Sequence, residues 1–150
     1  PLGRHVVVGS IAFGNANHGF DENSNLAGIV VMNNTAWNNP NRNFMFAYPQ
    51  ATTSPNLLRN NLSFQGEIRI NDASTASSNS WQLDVTVDES DFAALEASLA
   101  RVERLPDGSL PETALFRLVE GSDCIDRGEE LTEVTRPFNG AAPDLGAFEF

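Results

Sequence analysis

The chain has 150 residues, 41% of them apolar, with one cysteine and no lysine. It can bury one core, cannot form an internal disulfide or a Cys/His metal cluster, and has no run near the roughly 20 apolar residues of a membrane span. The formal charge of −11 argues against a nucleic-acid partner, but it is uneven: residues 1–79 hold four acids and four arginines, residues 80–150 sixteen acids and five arginines.

From the N-terminus, three stretches look like successive turns of one coil: His5 to Asp21, Ile29 to Tyr48 and Leu57 to Ile70. Ala12, Ala36 and Ser63 align, at spacings of 24 and then 27 residues. Phe13, Trp37 and Phe64 then share one column, Ser10, Asn34 and Asn61 a second, and Val8, Met32 and Arg59 a third. Self-similarity at this period marks a solenoid, whose coils bury their apolar face only by stacking. A leucine-rich repeat has the same period, but its Leu-x-x-Leu-x-Leu frame is absent. β-Branched and aromatic residues alternating with Asn, Gly and Ser predict short strands and tight turns. Thirteen of the sixteen Asn lie between Asn15 and Asn61, where left-handed turns and side-chain ladders use them best. The expected fold is all-β, a right-handed parallel β-helix of about three coils over residues 1–70.

Residues 71–80 are small and polar and read as a loop. One flanking α-helix is predicted next. Asp88 or Ser90 caps it, Glu89 and Asp91 fill its first turn, and Phe92, Leu95, Leu99 and Val102 form one apolar stripe that ends at Pro106-Asp107-Gly108. The rest of 81–150 has short apolar pieces, Leu115 to Leu118 and Leu145 to Phe148, suited to an irregular capping coil over the solenoid end. Cys124 reads as a small buried apolar residue. The opposite end has no such cover. His5 begins the first strand directly, and three coils stack only about 10–15 Å tall at a rung spacing of about 4.8 Å. The single domain 1–150 therefore reads as the C-terminal part of a longer β-helix, with earlier coils or another chain covering the N-terminal edge.

Several motifs, in order, resemble the later coils of pectate lyases of polysaccharide lyase family nine. They are Ser10 to Asn15, His18-Gly19-Phe20-Asp21-Glu22-Asn23, Asn33 to Asn39, Asn60 to Ser63, the tail segment from Ser80-Trp81 through Asp91-Phe92, Asp107 to Pro111, and the closing Gly140 to Glu149. Each is weak alone, while the ordered set spans essentially the whole chain. The resemblance implies a secreted bacterial enzyme that cleaves polygalacturonate, or another uronate polymer, by calcium-assisted β-elimination. In such enzymes aspartates hold Ca2+ and a lysine removes the proton. This chain has no lysine, and Asp21 stands beside Glu22 alone, so neither a catalytic residue nor a metal ligand is assigned to it. Arg4, His5, His18, Asp21 and Asn23 are the candidate substrate-binding residues of a groove floor, arginine being suited to carboxylates. Arg42, Arg59 and Arg69 either line a face for an anionic polymer or are solvated charges, and the Phe13, Trp37, Phe64 column reads as core. Two other readings stay open: a non-catalytic polysaccharide-binding or structural β-helix, and another uronate lyase or an epimerase. No membrane or nucleic-acid partner is implied.

Overall fold

The computed structural model describes residues 3–48 and 54–150. Ten short strands follow in chain order: β1 (His5–Val8), β2 (Ile11–Phe13), β3 (His18–Asp21), β4 (Ile29–Met32), β5 (Thr35–Trp37), β6 (Arg42–Phe46), β7 (Leu57–Arg59), β8 (Leu62–Phe64), β9 (Ile68–Ile70) and β10 (Thr75–Ser77). They form three parallel sheets: sheet A is β1-β4-β7-β10, sheet B is β2-β5-β8 and sheet C is β3-β6-β9. One turn of chain visits A, B and C before returning to A, which makes a right-handed parallel β-helix.

The register is the one the repeat predicts. Ala12 pairs with Ala36 and Ala36 with Ser63, Phe13 with Trp37 and Trp37 with Phe64, and Val8 with Met32 and Met32 with Arg59. Alternation then divides each strand. Val31, Ala36, Phe44, Phe46 and Leu58 fill the inside of the coil, with Phe20 stacked on Phe44 at 5.2 Å.

Asparagine builds the corners. Between sheets A and B the backbone enters the left-handed region at Gly9, Asn33, Asn60 and Ser78 in successive turns (φ 60, 50, 54 and 54°); glycine and asparagine tolerate that region best. The residue after each carries the ladder. Asn34 Nδ2 donates to Asn61 Oδ1 at 3.0 Å, Asn61 Nδ2 to Asn79 Oδ1 at 2.8 Å, and all three side chains are buried. The same amides reach across rungs to the carbonyls of Val7, Val31 and Leu58, so a bend inside the core leaves few backbone groups unpaired.

Two sequence expectations change. Residues 71–80 are not only a loop: Thr75–Ser77 pairs in parallel with Leu57–Arg59 and adds a fourth rung to sheet A. Its Thr, Ala and Ser form a weak strand signal, and the ladder edge below decides the conformation. The α-helix is also absent. Only two 3₁₀ turns form, Glu89–Asp91 and Ala97–Arg101. Asp88 does cap the first, accepting from Ser90 N at 2.7 Å, while Asp91 Oδ2 accepts from Asp88 N at 2.8 Å. The helix stops there because Phe92 is extended, Ala93 N donates to the Arg117 carbonyl and Phe116 N to that of Ala94. Pairing with the 115–118 segment takes the amides that a helix would use. The apolar stripe is still used: Phe92 is buried and Leu95 and Leu99 pack beside it, whereas Val102 is exposed.

The acidic tail packs on two of the three outer faces. Leu131 and Val134 cover Val30, Met32 and Leu57 of sheet A. Phe92, Leu115, Phe116, Leu118, Cys124 and Leu145 cover Leu62 and Phe64 of sheet B. Phe116 meets Phe13 at 5.3 Å and Trp37 at 5.4 Å, so the aromatic column is a docking seam for the tail. The closing Asp144-Leu145-Gly146-Ala147 holds this arrangement. Asn33 Nδ2 donates to the Asp144 carbonyl, Gly146 N to that of Asn60, and Ala147 N to Thr35 Oγ1. Gly146, at φ 93°, admits no Cβ because Thr35 Oγ1 would lie 2.6 Å from it.

Candidate substrate-binding face

Sheet C differs from the other two in what its outer face carries. None of the apolar clusters joins a tail residue to that face. In β3, Phe20 points into the core, so Asp21 points out; His18, largely buried at the start of the strand, brings its Nε2 to 4.0 Å from Asp21 Oδ2. Continuing the register downward, Arg42 lies under His18, and Arg69 lies two rungs under Asp21 with Met45 between. The face thus presents His18, Asp21, Arg42 and Arg69 on three rungs spaced about 4.8 Å apart.

The charges on this strip are loosely held. Arg42 Nη2 is 4.0 Å from Glu67 Oε2, whose side chain is 79% exposed, an ion pair worth little in solvent. Arg42 Nη1 also donates to Asn41 Oδ1 at 2.9 Å. His18 is only 10% exposed, and its Nδ1 is sealed without a hydrogen-bond partner among the described residues. Beside the strip, the turns between sheets B and C form a polar cleft of about 320 Å³ lined by Asn38, Asn39, Pro40, Asn41, Gln65, Gly66 and Glu67. Amides and a carboxylate at the edge of an arginine-bearing sheet suit sugar hydroxyls and acidic sugars.

The five sequence candidates do not form one cluster. His18 and Asp21 come together. Asn23 joins through its backbone, its N–H donating to Asp21 Oδ1 at 2.8 Å in a turn where Asn23 itself has φ 45°. Arg4 lies before sheet A, and its Nη2 donates to the Pro55 carbonyl at 2.8 Å. His5 pairs with Ile29, on the column that faces the coil interior, so it stands over apolar core at the N-terminal edge. Of the three arginines, Arg59 leaves the face: its Nε and Nη1 lie 3.4 Å from Glu129 and Glu133 of the tail. Arg42 and Arg69 remain on it, and the 24-residue spacing that aligns the coils also places Arg42 under His18.

Glu22 is a buried acid that no repeat column identifies. It is 2% exposed and accepts hydrogen bonds from Tyr48 N, at 2.6 Å, and from Asn56 Nδ2. It therefore braces the corner between sheets C and A and points away from the face. Asp144 is likewise structural, accepting from Asp126 N at 2.8 Å and Phe150 N at 2.7 Å. Glu22 turns inward, and the described residues contain no group of three or more His, Cys, Asp or Glu able to hold a metal. The calcium implied by the resemblance does not fit these residues.

Fold and face together define a parallel β-helix with one outer sheet face that carries charges. No protein-family profile matches the chain, but individual proteins do. It is similar to pectate lyases of family nine along nearly its whole length. It is 43% identical to pectate lyase L of Dickeya chrysanthemi over 148 residues, covering 99% of this chain and 34% of that protein. With pectate lyase PEL9 of Emericella nidulans it shares 30% identity over 119 residues, covering 79% of this chain and 28% of that protein. The crystal structure of pectate lyase Pel9A superimposes with a TM-score of 0.91 at 40% identity, over 99% of this chain and 36% of that one. A rhamnogalacturonan lyase structure matches at a TM-score of 0.67 and 31% identity, over 78% and 31%. The chain spans about a third of the length of these relatives and is a pectate lyase-like module.

Proposed function

We propose that this chain forms part of the substrate-binding face of a secreted polysaccharide lyase that cleaves polygalacturonate, or a closely related uronate polymer, by β-elimination. The observation that carries this reading is the outer face of sheet C, which no apolar cluster among the described residues ties to the tail and which carries His18, Asp21, Arg42 and Arg69, in a coil superimposable on Pel9A. Arginines at rung spacing offer repeated contacts to a polymer with a carboxylate on every sugar. The polymer is too large to enter a cell, so the enzyme acts outside it. In this reading calcium is bound by carboxylates outside the described residues.

The test follows the absorbance of unsaturated product from polygalacturonate with the full-length protein, with calcium and then with chelator, and with rhamnogalacturonan as the competing substrate. Product from polygalacturonate alone supports the reading, and product from rhamnogalacturonan alone moves the substrate class. Binding of either polymer without product would instead support the non-catalytic polysaccharide-binding module.

A further inference from the structure

Among the described residues the stack of coils is closed at one end and open at the other. At the C-terminal end Trp81 lies against Phe44, 5.0 Å between ring centres, and Gln82 Oε1 ends the asparagine ladder by accepting from Asn79 Nδ2 at 2.6 Å. At the N-terminal end β1, β2 and β3 each pair along one edge only. Val7 and Phe20 are only partly buried there, although Val31 and Phe44, one rung below them, are fully enclosed. Outside sheet B, at this open end, an apolar groove of about 360 Å³ runs between Ile11 and Phe13 of β2 and Leu99, Val102, Leu110 and Pro111 of the tail. Leu110 is 70% exposed in it, and Val102 43%.

We propose that the groove holds an outward-facing apolar side chain of one further coil, stacked on β1, β2 and β3, so that tail residues 97–113 clamp the coil ahead of them. Such a clamp concerns how the full-length β-helix is assembled and does not depend on which polymer it acts on.

The groove continues an interface that already exists. At the lower rungs the tail covers the outward column of sheet B: Phe64 is buried beneath it, and Phe116 meets both Trp37 and Phe13. One rung beyond Phe13, about 4.8 Å along the stack, the same column enters the space that Leu99, Val102 and Leu110 line. A strand at that level would also pair with the free edge of β2, as parallel strands inside a sheet do on both sides. The asparagines of the turn from sheet B to sheet C point to the same occupant. Asn39 Oδ1 accepts from Asn15 N and Asn15 Nδ2 of the coil above it, while Asn15 Oδ1 has no donor among the described residues. A sugar or a small apolar molecule could fill the groove but would leave the three strand edges, Val7, Phe20 and Asn15 as they are. A coil completes all of them together. The matched relatives are long enough to supply it, since this chain covers 36% of Pel9A and 34% of pectate lyase L.

The experiment uses the full-length protein with the diazirine analogue of leucine at position 110. Irradiation is expected to crosslink this residue, within one molecule, to the coil ahead, one repeat of 24–27 residues before Phe13. A crosslink to a second copy, or none outside residues 1–150, overturns the clamp. Leu110→Cys gives an independent reading, because the native Cys124 is buried. Peptide mapping should show the new thiol alkylated at least about tenfold more slowly in the folded protein than in urea. Labelling at the same rate in both states shows an open groove and overturns the clamp. Slow labelling that quickens when the protein is diluted marks a second copy in the groove and overturns it as well.

Discussion

Sheets A and B and sheet C belong to the same coil and share its period, yet they meet the rest of the chain in opposite ways. The outer faces of A and B carry Val30, Met32, Leu57, Leu62 and Phe64, and the tail folds over them. The outer face of C carries His18, Asp21, Arg42 and Arg69, and no apolar cluster brings the tail to it. A coil's inward side is set by the need to stack, whereas its outward side is free to specify either a tail or a ligand. The outward residues therefore separate two faces that take the tail from one that keeps charged side chains.

The comparison breaks most readily at the tail seam. Phe116 is 2% exposed and contacts Phe13, Trp37 and Phe92, so Phe116→Ala is expected to cost about 3–5 kcal/mol. Urea unfolding followed by fluorescence measures this; a cost under about 1 kcal/mol would show that the tail does not depend on the aromatic column. Next comes the ladder. Asn61→Ala removes the side-chain bonds to Asn34, Asn79 and the Val31 carbonyl in a fully buried corner, and each group left unpaired costs about 1–3 kcal/mol. A drop of about 3 kcal/mol is expected, and Asn61→Asp should not restore it, because a carboxylate cannot donate to Val31.

Cys124 reports on the same seam. Burial first, and the charge of Asp91 second, push its thiol up from 9.0 to about 12. The folded state thus favours the neutral thiol: its full contribution is present below about pH 9 and is lost as pH rises from there toward about 12. At pH 8 alkylation by iodoacetamide should be slow and follow tail unfolding. Labelling as fast as that of a free thiol would place Cys124 outside the core. The smallest stability effect belongs to sheet C. Arg69→Ala should change stability by no more than about 0.5 kcal/mol while weakening polygalacturonate binding in a salt-dependent way, read by affinity electrophoresis at two ionic strengths. Unchanged binding would remove Arg69 from the proposed binding face.

Much of this was legible in the chain. The columns Ala12/Ala36/Ser63 and Phe13/Trp37/Phe64 appear in the observed register because a solenoid repeats the same environment at each turn, so one period encodes both fold and pairing. The tail was harder to read. Phe92, Leu95 and Leu99 have helical spacing, yet the backbone pairs with residues 115–118, a contact between segments that no local pattern encodes. Residues 75–77 likewise become a strand because β7 offers an unpaired edge. Of the proposed binding residues, His18 and Asp21 do come together on sheet C, whereas His5 and Arg4 were grouped with them by closeness in sequence, and the winding of the coil puts them elsewhere.

By itself, then, the sequence determined the coil: its period, its inward residues and the asparagines of its corners, all set by interactions that recur at fixed spacing. The tertiary structure decided which outer faces the acidic tail covers, that Arg59 serves the tail while Arg42 and Arg69 stay on the open sheet, and that Glu22 turns inward. Those outcomes depend on contacts between residues far apart in the chain, where burial and pairing, not local preference, fix the lowest free energy.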